Sequence, residues 1–256
     1  MSAPATAPRR VGAQAGFETR TLLGNGEQLL VSVVLPLLAL VGLALTDVPD
    51  LSIGAWEGQE RIAVATPGVL ALAVISTAFT GQAILLAYER RYGVLRLLGT
   101  TPLGRDGLLM GKALAVLVVI TVQLLVIGAA AAGLGWRPDP AGLLPAAVLV
   151  VAGAAAFVAL AVLLGGTLRA EAVLALANLG WVLLLGLGGV VVPAAAFPGA
   201  VDAVLSWLPP ALLADGLRTT LAGVGDGIPW PARWVALAGW TAVLGWLAAR
   251  LLRWSD

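Results

Sequence analysis

Six long stretches of this chain carry no charged residue, and nothing else in the sequence constrains its fold so strongly. They cover residues 29–45, 68–88, 113–136, 143–168, 172–192 and 234–249. Crossing the hydrocarbon core of a bilayer takes roughly 20 apolar residues at about 1.5 Å of rise each, so every stretch is long enough or nearly so. The last reaches residue 252 when Arg250 and Arg253 snorkel their guanidinium heads to the interface. Inside lipid the backbone N–H and C=O groups find no water, which leaves only helices and closed barrels. The alternating pattern of a barrel strand is absent. The expected fold class is therefore all-α, an integral membrane protein of six transmembrane helices.

Composition agrees. Of 256 residues 60% are hydrophobic and 11% charged, against about a quarter charged in soluble domains. A soluble fold with so little charge could not cover its own surface, so the expected surroundings are a lipid bilayer. The net charge of +1 lacks the basic excess of a nucleic-acid binder. With no Cys and no His, disulfides, thiol chemistry and the usual zinc and copper sites fall away, and no metal is expected. Fourteen Arg to the single Lys112, with heavy Ala, Gly and Leu usage, point to a GC-rich bacterial genome. Arg9 and Arg10 stand well ahead of the first apolar run, with Glu18, Arg20 and Glu27 between. A secretory signal sets its apolar region close behind the basic one, so the first span is expected to remain in the mature protein.

Basic residues set the orientation, because Lys and Arg accumulate on the cytoplasmic side. With the N-terminus inside, eleven fall inside (9, 10, 20, 90, 91, 96, 105, 112, 169, 250 and 253) and four outside (61, 137, 218 and 233). Both termini are then cytoplasmic, in a bacterial cell membrane. Trp56, Trp136, Trp207, Trp230, Trp234 and Trp254 fall near span ends, where indoles prefer to sit. Trp181, Trp240 and Trp246 lie deeper and are expected to pack between helices. Residues 1–28 form an N-terminal cytoplasmic segment, and 29–256 a single transmembrane domain with no internal repeat.

Two segments outside the spans have their own character. After the fifth span, 193–231 is long, apolar and rich in Pro and Gly. Its 210–221 portion reads as a short helix with Pro at its start and Asp215 three residues before Arg218, set in a half-inserted or interfacial hairpin. After the second span comes the most charged part, YERRYGVLRLLGTTPLGRDGLLMGK over 88–112. It reads as a helix, a break at Gly99 and a second helix start, with Thr101 placed to cap and Pro102 at the first helical position. Tyr92, Val94, Leu95, Leu97 and Leu98 interleave with arginines. A solvated loop held by topology alone accounts for the charge; a docking surface also accounts for the apolar face.

The chemistry is defined largely by exclusion. No phosphate-binding G-x-x-x-x-G-K-[ST] occurs: Asp106 stands where its first Gly belongs and Ala113 follows Lys112. No span holds a charge for a proton relay or ion site. Gln82, Gln123 and Asn178 are candidates to line a substrate path, against the plainer role of bonding helix to helix together with Ser32, Ser76, Thr77 and Thr80. An uncharged interior suits a hydrophobic or amphipathic solute.

The 88–112 segment resembles the cytosolic loop of ABC-2 type transporter permeases. The likeness rests on Glu89 and Arg90, Gly93, Leu97 and Leu98, Thr101 and Pro102, then Gly111 and Lys112 opening the third span. The N-terminal piece around Glu18, Arg20, Asn25 and Pro36 is similar to that family's connecting helix and first span. Leu208, Pro209, Asp215, Leu217, Arg218 and Gly223 are similar to its extracellular hairpin. The resemblance implies a permease half and export rather than import. Two halves, alike or different, form the pathway, and a separate cytoplasmic ABC ATPase subunit holds the ATP and Mg, so that this chain binds no cofactor and is not itself an enzyme. It also implies that 11–23 forms an interfacial helix, which Gly12 and Gly16 weaken. Residues Glu89, Arg90, Arg91, Gly93, Leu95, Arg96, Leu97, Leu98, Thr101, Pro102 and Arg105 would be the ATPase-coupling loop, leucines giving contact and arginines salt bridges. Pro209, Asp215 and Arg218 would mark the extracellular hairpin. A scaffold subunit or secondary carrier driven without ATP is the competing class, though a carrier's interrupted helices with ion ligands are not seen.

Overall fold

The computed structural model describes residues 6–46, 58, 60–99, 103–187, 199–225 and 227–251, apart from the side chains of Glu27, Gln28, Val31, Arg96, Leu98, Arg105, Asp106, Leu185 and Leu187. All described secondary structure is helical. Helix α1 is Ala7–Gly24. Residues 26–45 run on as α2, with Gly26–Leu29, a π-turn Leu30–Val34 and then Leu35–Leu45. Next come α3, Arg61–Arg91, the short α4, Val94–Gly99, and α5, Gly104–Gly133. A 3-10 turn Pro140–Gly142 leads into α6, Leu143–Thr167, and α7 is Ala170–Leu187. The rest is α8, Gly199–Leu205, α9, Pro209–Ala222, and α10, Trp230–Leu251.

Four of these helices are long and apolar enough to cross a membrane: Arg61–Arg91, Gly107–Gly133, Pro140–Thr167 and Trp230–Leu251. A fifth arises if α8 and α9, bent 89° to each other, count as one broken span. Two shorter apolar helices, Ser32–Leu45 and Ala170–Leu184, stand where the first and fifth spans are expected.

Helix α3 begins seven residues before the expected 68, running through Pro67, and α5 nine before the expected 113, taking in Leu108, Leu109 and Met110. At 31 residues, α3 is about 46 Å long, well over the roughly 30 Å hydrocarbon core. At its far end α5 stops at Gly133, short of the expected 136. Gly135 at φ +101° makes the turn, a left-handed conformation that costs a glycine little. Trp136 then folds back and is buried.

The central element is α3, 89% buried over its apolar window. It packs against α2, α5, α6, α7 and α9. Helix α6 is the second axis, lying along α10 and touching α3 and α9. Close approach there depends on glycine. A Cβ on Gly142 would stand 1.7 Å from the Thr220 carbonyl oxygen, and one on Gly165 would stand 2.7 Å from that of Ala83. By contrast α5 and α10 are 33% and 17% buried and present leucines and valines outward. That is the surface expected of helices facing lipid rather than water. Trp246, expected to pack between helices, is 54% exposed. The Arg250 guanidinium lies 4.4 Å over its ring, an arrangement that suits an interface.

Candidate functional site

The segment between α3 and α5 folds back on the bundle. Gly93, at φ +72°, ends α3 in a left-handed turn whose N–H donates to the Arg90 carbonyl. Tyr88 and Tyr92 stack at 6.1 Å across this turn. In α4, Leu95 is buried against Leu86 and Leu108, whereas Leu97 is 69% and Tyr92 72% exposed. Val94 is exposed as well. The tip thus has one anchoring leucine and an outward apolar face of Tyr92, Val94 and Leu97. Arg96 and Leu98 lie in α4 and Arg105 in α5, with side chains outside the described set; Thr101 and Pro102 lie outside the described residues.

Charged side chains lash this end together. Lys112 Nζ lies 2.8 Å from Glu18 Oε1 and 2.7 Å from Glu89 Oε1, and all three side chains are largely buried. Gln14 donates to the same Glu18 oxygen. One ammonium therefore joins α1, the end of α3 and the start of α5. Nearby, Gly107 and Gly111 let α1 approach α5 closely around Val11 and Gln14. Leu22 packs on Ala115 and Val119. Arg90 is buried and donates to the Leu168 carbonyl, where α6 turns into α7. A basic side chain there satisfies one of the carbonyls that a helix end leaves open. Arg91 pairs with Glu171 at the start of α7. Both arginines, expected to reach for a partner, have partners within the chain. Glu18, Lys112 and Glu171 complete the network and were not among the candidate site residues, although Glu18 and Lys112 already stand among the residues that carry the family resemblance.

At the opposite end α9 starts with Pro209 in its first turn and ends at Gly223, φ +67°, one residue beyond the expected helix at each end. Arg218 donates to Asp215 at 2.7 Å, confirming the i, i+3 pair, and its Nε donates to the Val64 carbonyl of α3. Arg233 is also fully buried, and its Nε donates to the Ile228 carbonyl. Helix α9 is buried almost throughout against α3, α6 and α10. It is a wedge in the bundle rather than a surface helix.

Polar residues within the spans separate. The π-turn Ser76–Gly81 in α3 presents Ser76 Oγ to Trp181 Nε1 of α7 at 2.7 Å and Thr77 Oγ1 to Gln123 Oε1 of α5 at 2.9 Å. These are helix-to-helix bonds. Gln82 instead lines a cavity of about 530 Å³ between α3, α5, α6 and α10, with Lys112 at its rim. A second cavity of about 660 Å³ lies along the same α5–α6 seam towards Trp136 and α9. The two share Leu117 and Val151 and are apolar almost throughout. Asn178 lies on the exposed side of α7, so Gln82, Gln123 and Asn178 do not converge.

The model of the family described as ABC-2 family transporter protein matches residues 29–250. The chain belongs to that family. No curated protein matches it. An ABC-2 family chain is a multi-pass membrane permease subunit of an ABC transporter, and the family implies an ABC ATPase as partner. The match takes in α2 to α10 and nearly all of the charged network; only α1, with Glu18, precedes it.

Proposed function

We propose that this ABC-2 permease has six spans, α2, α3, α5, α6, α7 and α10, and exports a hydrophobic or amphipathic solute with ATP hydrolysed by a separate subunit. It sits in a bacterial cell membrane with both termini cytoplasmic, α1 as the interfacial helix and α8–α9 as the extracellular re-entrant hairpin. Two halves enclose the pathway; ATP and Mg stay on the ATPase.

The observation that carries the reading is the exposed apolar tip of Tyr92, Val94 and Leu97 on a base tied down by Lys112, Arg90 and Arg91. A lever must be rigid where it joins the spans and sticky where it is pushed. Leu95 anchors it, while Leu97, with Leu98, Arg96 and Arg105 from the same segment, meets the ATPase. Motion at the tip then reaches α1, α5 and the α6–α7 turn together. The apolar α5–α6 seam supports the substrate class, because a solute with alkyl or aromatic surface is stabilised there and an ion is not.

The test is co-purification of the ATPase with the Leu97→Asp/Leu98→Asp variant. Insertion should be normal and recovered ATPase should fall roughly tenfold or more, as for loss of a central contact. Leu95→Asp, which buries a charge, should instead lose folded chain. Unchanged recovery of ATPase with the double variant would refute docking at this tip.

A further inference from the structure

We infer that the hollow between α3, α5, α6 and α10 binds, within a single subunit, a neutral apolar small molecule that carries a hydrogen-bonding oxygen, with Gln82 as its polar anchor. The hollow measures about 530 Å³, a size common among small-molecule sites, which are mostly apolar with a few placed polar groups. Small side chains make the room: Ala154, Ala155 and Ala159 on α6, and Gly245, Ala248 and Ala249 on α10. A Cβ built on Gly245 would meet nothing within 4 Å. Among the described residues α10 packs along α6 but not along α5. The hollow therefore opens between α5 and α10, the two helices least buried by the bundle. Among the described residues, none of α2 or α7 lines it.

Gln82 separates this hollow from a mere packing gap. In the lining only Gln82 and Lys112 are polar. Lys112 is committed to Glu18 and Glu89, so an anionic ligand finds no spare positive charge there. Gln82 is 7% exposed, and its side chain makes no hydrogen bond among the described residues. Gln123, by contrast, is bonded to Thr77. Gln82 stands seven residues before Glu89 on the same helix, two turns or about 10 Å further into the membrane. At that depth acyl chains offer a carboxamide neither donor nor acceptor, and the ester carbonyls of bulk lipid stay at the interface. Leaving the amide bare is costly, and so is bringing an ion to it. A ketone, ester, amide or hydroxyl on an apolar body avoids both costs: its oxygen pairs with the carboxamide and its body fills the hollow. The inference deepens the proposed function by placing a solute site inside each half, and rests on it only for the side of the membrane from which the hollow is reached.

The probe is benzophenone, a neutral aryl ketone that inserts into nearby C–H bonds under near-ultraviolet light. The full chain in lipid nanodiscs is illuminated with it, and labelled residues are mapped by mass spectrometry. Labelling should saturate with concentration and gather on Leu86 and Val158 of the lining rather than on the outward Val118 and Val243. Benzhydrol, which keeps the oxygen, should compete; diphenylmethane, of similar shape without it, should compete about fivefold less well. Gln82→Met keeps the length and drops the amide. It should weaken the apparent affinity about tenfold while melting no lower than the parent. Gly245→Leu should fill the hollow and abolish saturable labelling. Labelling that never saturates and coats 118 and 243 equally would mean partition into lipid only, and would overturn the inference while leaving the permease reading intact. So would an unchanged affinity in Gln82→Met, or a melting point for that variant well below the parent, since the amide would then be a structural bond. Saturable labelling of the hollow with no change in ATP hydrolysis by a co-purified ATPase would uphold the site and count against the ATP-driven reading.

Discussion

Lys112 is the residue on which the basic end depends. It is the only lysine of the chain, and it ion-pairs with two buried carboxylates from helices far apart in sequence. Burying three charged groups is expensive, and the mutual attraction only repays it while every partner is present. Lys112→Ala leaves Glu18 and Glu89 facing each other in a dry site and should cost about 3–5 kcal/mol. Adding Glu18→Gln and Glu89→Gln should recover most of that, since neutral amides cost far less to bury than charges. Thermal unfolding in detergent, followed as loss of the monodisperse species, checks both. If Lys112→Ala melts with the parent, the network carries no fold energy and the rigid base of the lever is lost from the argument.

Among the elements, helix contact is set by glycine placement more than by side-chain fit. The 3-10 turn before α6 meets the end of α9 backbone to backbone: the Asp139 N–H donates to the Leu221 carbonyl, and a Cβ on Gly142 would overlap the Thr220 oxygen. Gly142→Ala must push α6 off α9 and should cost about 1–3 kcal/mol or more. Gly239, on the outer face of α10, has nothing within 4 Å of a built Cβ, so Gly239→Ala should be neutral or stabilising by up to about 1 kcal/mol. Equal melting shifts for the two variants would show that the α6–α9 contact is looser than drawn. The same logic explains why α9, short as it is, lies so deep: Gly216 admits Leu149 and Arg233 against its backbone, and Arg218 spends its donors on Asp215 and on α3.

For the whole molecule, the charge asymmetry predicts topology. Tyr92 is exposed at the basic end and Arg137 is exposed at the α5–α6 turn. In intact cells a membrane-impermeant maleimide should label Arg137→Cys and leave Tyr92→Cys untouched until the membrane is opened. Labelling of both, or the reverse pattern, would invert the orientation and move the ATPase-docking tip to the wrong side.

Helix content, membrane residence, a short helix from Pro209 or Pro210 ending near Gly223, the Asp215–Arg218 pair and the family could all be read from the sequence. Each is local or compositional: uncharged stretches long enough to span, Pro and Gly at helix ends, opposite charges three residues apart, motifs in order. What the sequence could not tell was which face of each span is inside. A water-soluble helix declares its buried face by alternating with polar residues, but in lipid both faces are apolar and that period disappears. Tertiary structure alone therefore decided that Arg90 turns inward to Leu168 while Arg91 pairs with Glu171 at the surface, and that Leu95 anchors while Leu97 projects. It alone decided that Gln82, Gln123 and Asn178 part company, one lining a cavity, one bonded to Thr77 and one exposed. Lys112 meets Glu18 across 94 residues of chain, a contact between helices that only packing brings side by side.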